Sequence, residues 1–153
     1  MTHSAHTASR IILATPHAIF RTFVDPEALV NWRAPSGMTA EVRAFDPRPG
    51  GGYRMILTYD DPSCAPGKTD AATDVVSARF LELDPDTRIV EQISFESGDP
   101  AFAGSMTLTT TLAAVNGGTK ITFVAENVPG GISEADHRMG MESALKNLAN
   151  LLE

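Results

Sequence analysis

Glu91 is the residue of this chain best placed to do chemistry. It alternates with Ile89, Ile93 and Phe95, so on the two-residue period of a strand its carboxylate shares a face with apolar side chains. A carboxylate in such surroundings is costly to desolvate unless a cation or a hydrogen-bond donor meets it. So placed, it could act as a general base or hold the polar end of a ligand. The plainer reading puts Glu91 near the sheet rim, where charge blocks edge-to-edge aggregation and the side chain reaches water or an arginine. His137 is the second catalytic candidate. It stands one turn before Met141 on a face that continues through Leu145, Leu148 and Leu152. An imidazole at a pocket mouth could change charge near neutral pH or share a proton with Glu91, or it could simply bond nearby backbone.

Other side chains suit binding rather than bond-making. Trp32 could stack on a ligand while Arg33 takes its carboxylate; the ordinary alternative is a core indole beside a solvated arginine. Tyr53 and Tyr59 add hydroxyls to a strand face shared with Met55 and Leu57. The candidate binding set is therefore Trp32, Tyr53, Met55, Tyr59, Glu91, Ile93, His137 and Met141. No metal site is expected, because His3 and His6 form only a loose pair without companion ligands. No cofactor is expected either: Pro49-Gly50-Gly51-Gly52 follows a strand but leads into another strand, not a helix. Cys64 has no histidine near it in sequence, and Glu126 falls on the polar face with Lys120 and Thr122.

These residues need elements to position them, and the punctuation of the chain supplies those elements. Residues 1–9 read as a flexible polar segment, and Arg10 to Ala14 as a short first strand. Thr15-Pro16 and Asp25-Pro26 each look like a helix cap followed by proline at the first helical position. The first helix would bury Phe20, Phe23 and Val24, and the second Leu29, Val30 and Trp32. Two strand–turn–strand units follow, Phe45 to Arg54 and Phe80 to Val90, with proline and glycine turns; at least one of Gly50 to Gly52 should take positive φ. Between them, Asp60 to Ala72 reads as a loop long enough to be functional. Met106, Leu108, Thr110 and Leu112 alternate with polar neighbours, and Asn116-Gly117-Gly118 turns into Ile121, Phe123 and Ala125. Ser133-x-x-Asp136 then caps a helix reaching about Leu152.

Composition narrows the setting. The 153 residues suit one domain, 10–153, and 42% apolar with 20% charged residues is a globular balance. A net charge of −7 without a basic cluster argues against nucleic acid and anionic membrane surfaces as partners. The apolar stretches are too short for membrane insertion, the polar start lacks the features of a secretory signal, and a single cysteine fits a reducing, cytoplasmic setting.

In this order and spacing the motifs resemble the activator-of-Hsp90-ATPase-homologue-like branch of the START/Bet v 1-like (SRPBCC) superfamily. The matching pieces are Thr15-Pro16 through Phe20 and Phe23, Asp25-Pro26 with Leu29 and Trp32, and the Pro49-Gly50-Gly51 turn. Leu83-Asp84-Pro85 with Arg88-Ile89-Val90, Gly117-Gly118-Thr119, and His137-x-x-Gly140-Met141 complete the set. The resemblance implies an α+β helix-grip fold: a strand, two short helices, six strands and a long C-terminal helix gripped by a curved antiparallel sheet, with a cavity between. Members of the superfamily include lipid carriers, plant hormone binders and aromatic cyclases. Relatives often carry Trp where Met141 stands; methionine makes a more adaptable wall. The chain shows no counterpart of the N-terminal domain of the eukaryotic co-chaperone, so an Hsp90 interaction is not expected. A homodimer stays open. Three functions follow as expectations. The first is binding of a small apolar or amphipathic molecule, and the second is proton-transfer catalysis of cyclase or isomerase type by Glu91 and His137. The third is a co-chaperone-like interaction module.

Overall fold

A computed structural model of the chain describes residues 4–35, 37–61 and 73–153. Strand β1 (Ser4–Ile12) is followed by α1 (Pro16–Phe23) and α2 (Pro26–Trp32). Strands β2 (Met38–Asp46), β3 (Gly52–Tyr59), β4 (Thr73–Asp84), β5 (Arg88–Phe95), β6 (Ser105–Val115) and β7 (Gly118–Val128) come next, and α3 (Glu134–Leu152) ends the chain. All neighbours in the 7-stranded sheet are antiparallel, in the order β1-β7-β6-β5-β4-β3-β2. This curved sheet with its C-terminal helix is the helix-grip α+β fold.

The caps act as their residue types dictate. Thr15 accepts from the Ala18 amide at 3.1 Å, Asp25 from Glu27 at 3.0 Å and Ser133 from Asp136 at 3.1 Å, each satisfying an orphan N–H of a helix start. Prolines at the first turns of α1 and α2 lose nothing there. In α1 the buried stripe is Ile19, Thr22 and Phe23, with Phe20 half-buried beside it, rather than Phe20, Phe23 and Val24. In α2, Leu29 and Trp32 turn inward.

Both early hairpins form, and they meet. Gly50 takes φ +85°, and a Cβ at Gly52 would run into the Ala78 carbonyl, so β3 and β4 approach there only with glycine. The Gly50 amide donates to the Phe80 carbonyl at 2.8 Å and the Phe80 amide to the Gly51 carbonyl at 2.9 Å, clamping the first turn onto the second hairpin.

The first strand departs from expectation. It begins at Ser4 rather than Arg10, pairing Ser4 with Val128 and His6 with Ala125 across β7. Small polar residues 4–9 have little strand preference of their own, and the partner strand organises them. His6, Ala8 and Ile12 face inward and are buried. The expected loop at 60–72 falls largely outside the described residues, as do His3 and Cys64.

The helix α3 lies against β1 and α2 and buries Met141, Ala144, Leu145, Leu148 and Ala149. Its C-terminal half is fastened: Asn147 Nδ2 donates to the Ala34 carbonyl at 2.8 Å, and the Leu13 amide donates to Glu153 at 3.1 Å. The N-terminal half of α3 faces the concave sheet across a gap. No helix among the described residues is long and apolar enough to cross a membrane.

Candidate functional site

The gap between sheet and α3 is a partly open hollow of about 760 Å³. Its floor is the concave face of β3 to β7, with Tyr53, Met55, Leu57, Ile93, Phe95, Met106, Leu108 and Phe123. Met141, Ala144, Gly140 and His137 of α3 roof it, and Arg33, Pro35 and Met38 close one side. The strand period places these side chains: Tyr53, Ala78, Ile93 and Met106 follow one another across the sheet, and all are buried.

Six of the sequence candidates border this hollow: Tyr53, Met55, Tyr59, Ile93, His137 and Met141. Two do not. Trp32 is fully buried, donates its indole N–H to the Thr22 carbonyl at 3.1 Å, and packs on Phe23 with ring centroids 4.7 Å apart. It is the core indole of the plainer reading. A tryptophan at the end of a short amphipathic helix can face either core or pocket, and periodicity does not separate the two.

Glu91 lies behind the wall rather than on it, with its side chain 1% exposed. It sits between Phe80 and Leu108 in the sheet register. Arg33 Nη2 donates to Glu91 Oε1 at 3.1 Å, and the Tyr53 hydroxyl donates to Oε2 at 2.6 Å, a charge-assisted length. Stacking aims the tyrosine: its ring lies 5.6 Å from Phe45 and 5.6 Å from Phe80. The cation is held from the other side, its Cζ standing 5.3 Å from the centroid of Trp32. Burial pushes the Tyr53 hydroxyl well above its ordinary pKa; the Arg33 charge opposes this and the Glu91 charge adds to it. Burial acts to lower the Arg33 pKa, but the charge of Glu91, that of Tyr53 and the hydrogen bond to Glu91 together outweigh it and leave the guanidinium above its ordinary value.

Two sequence expectations therefore change. Arg33 is not a free cation awaiting a ligand carboxylate, because Glu91 already meets its charge. Glu91 and His137 do not share a proton: Glu91 is bound to Arg33 and Tyr53, and His137 meets His6, with their Nδ1 atoms 2.8 Å apart and ring centroids at 5.1 Å. One imidazole of that pair donates and the other accepts. His6 is 2% exposed, far from the terminal decoration its polar neighbours suggested. Its alternation with Ala8 and Ile12 was the available signal.

At the opposite wall the Tyr59 hydroxyl donates to Asp74 Oδ2 at 3.2 Å, and burial, then the charge of Asp74, raises the Tyr59 pKa. Asp74 is itself buried, a residue the sequence reading did not single out. Glu126 is exposed, as strand parity required. No cluster of three or more His, Cys, Asp or Glu among the described residues could hold a metal ion.

A seven-stranded antiparallel sheet gripping a terminal helix over a hollow defines the class, a START-like helix-grip protein. Residues 13–153 match the model of the family described as "Activator of Hsp90 ATPase homolog 1-like protein", and the chain belongs to that family. A crystal structure of a Chromobacterium violaceum protein is similar at 31% identity and TM-score 0.85, covering 97% of this chain and 96% of that one. A Rhodobacter sphaeroides protein (19% identity, TM-score 0.78, 97% and 91% covered) and a Mycobacterium smegmatis protein (21%, 0.73, 97% and 90%) share the fold. No protein of curated function matches the chain.

Proposed function

We propose that this protein binds a small apolar or amphipathic molecule in the hollow between the sheet and the first turns of α3. One observation carries the reading: about 760 Å³ walled by Met55, Leu57, Ile93, Phe95 and Met106, with few polar groups among them. Ligand sites have this size and this mixture of apolar wall and sparse polar contacts. Catalysis by Glu91 draws less support, since both its oxygens are engaged and it stands behind the wall. A cytoplasmic setting accords with the single cysteine.

Native mass spectrometry of protein purified from its own host tests the proposal. A copurifying small mass that leaves on denaturation is the expected result. The protein mass alone, together with no binding of the neutral fluorescent probe N-phenyl-naphthylamine, would overturn it.

A further inference from the structure

Methionine is sorted in this chain. Every methionine after Met1, namely Met38, Met55, Met106, Met139 and Met141, borders the hollow. Leucine is close to methionine in size and commoner in the chain, yet among the described residues only Leu57 and Leu108 stand on that wall. Size and hydrophobicity alone would not separate the two. Methionine adds an unbranched side chain with three rotatable bonds and a polarizable sulfur, which fits irregular and changing surroundings. Met139 is 69% exposed and Met38 half-buried, so these two stand toward the mouth. Met55, Met106 and Met141 are 2%, 5% and 6% exposed, so a ligand gains their full surface only as they turn. The roof beside them leaves room for that. Gly140 precedes Met141, and a Cβ there would meet nothing nearer than Pro35 at 3.9 Å, so crowding does not demand the glycine. Glycine weakens a helix, and here it leaves open space beside the thioethers. Ala144, one turn on from Met141, is equally slight.

We propose that the five methionines make the hollow a conformable site, one that takes apolar ring molecules of different outline with nearly equal affinity by turning its thioethers, rather than a site cut to a single ligand. The proposal rests on the binding function above and specifies how the site chooses among ligands. The backbone is the fixed part. Met55 is held between Val42 and Val76 of the neighbouring strands, and Met106 pairs with Ile93. Adaptation therefore falls to the side chains, from the floor through Met55 and Met106 and from the roof through Met141. A thioether that turns toward the edge of a ligand ring makes a favourable sulfur–aromatic contact wherever that edge falls. A β-branched side chain of similar volume keeps the apolar surface and loses the freedom to follow the ring.

The test displaces N-phenyl-naphthylamine at neutral pH with two isomers of equal size, linear anthracenol and bent phenanthrenol, each with its hydroxyl on a terminal ring. Wild-type protein should bind the two within about threefold of each other, as a wall that re-packs around either outline requires. Met55→Ile/Met106→Ile conserves volume and suits the strands. It should separate the isomers by about tenfold, since a stiff wall is overpacked by one outline more than by the other. NMR of the wild-type protein labelled at its methionine methyls gives a readout that needs no variant: each isomer should move the Met55, Met106 and Met141 resonances, in patterns that differ between the two. A tenfold preference in wild type, equal tolerance in the double variant, or inner resonances left unmoved by a bound isomer would each overturn the proposal while leaving the binding function standing. Failure of every probe to bind, N-phenyl-naphthylamine included, would overturn both.

Discussion

Removing either partner of the Arg33–Glu91 pair should hurt far more than removing both. The Glu91 side chain is 1% exposed and that of Arg33 13%, so neither charge can turn to water once its partner is gone. Arg33→Met keeps an unbranched stem against Trp32 but leaves the carboxylate with the Tyr53 hydroxyl alone. Breaking a buried pair in this way costs about 3–5 kcal/mol. For a chain of this size, with a urea slope of about 2 kcal/mol/M, a loss of about 4 kcal/mol lowers the unfolding midpoint by about 2 M. Glu91→Leu should cost a similar amount, because it strands the guanidinium. The double variant replaces both ions by apolar side chains of comparable size and should return to within about 1 kcal/mol of wild type. Urea unfolding of the four proteins, followed by tryptophan fluorescence with equal slopes, closes the cycle. Single losses below about 1 kcal/mol that simply add would refute the view that burial makes this pair all-or-none.

Two further outcomes follow from the site. Met141→Trp should narrow the hollow and weaken N-phenyl-naphthylamine binding in a protein that stays folded; unchanged affinity, or a loss of about 1–3 kcal/mol with no effect on binding, would mark Met141 as packed core. The folded pKa of Tyr53 is raised by burial above its unfolded value of about 10, so its contribution to stability is complete below about pH 10 and declines as the pH rises toward the folded value. Urea midpoints should therefore fall above about pH 10 and fall less steeply in Tyr53→Phe; an equal slope in both proteins would refute the assignment.

Much of the frame was legible because it is written locally. Thr15-Pro16, Asp25-Pro26 and Ser133-x-x-Asp136 announce helix starts by hydrogen bonds reaching two or three residues, and Gly50 announces its turn by conformation alone. Glu91 was located by parity, which needs only its neighbours in one strand. Its partner was not, because Arg33 arrives from a helix 58 residues away and sequence spacing does not say which cation crosses the sheet. The same gap hid the contact of His6 with His137, 131 residues apart. Strand β1 was shortened for a related reason: residues 4–9 become a strand by pairing with β7, and their own side chains offer little preference.

That pairing also sets an order of events during synthesis. Strands β2 to β7 each lie beside the strand next to them in sequence, so hairpin by hairpin the sheet can grow as the chain emerges. Strand β1 is the exception. Ile12 waits for Thr119 and Ser4 for Val128, so the first strand made has no partner until nearly the whole sheet exists. Closing so large a loop is slow by topology alone. Until it closes, the ribosome carries a nascent chain whose β7 edge is open and whose final helix lacks the strand it packs on. The histidine at position 6 is thus made before every strand that follows it in the sheet, yet is among the last residues to be enclosed.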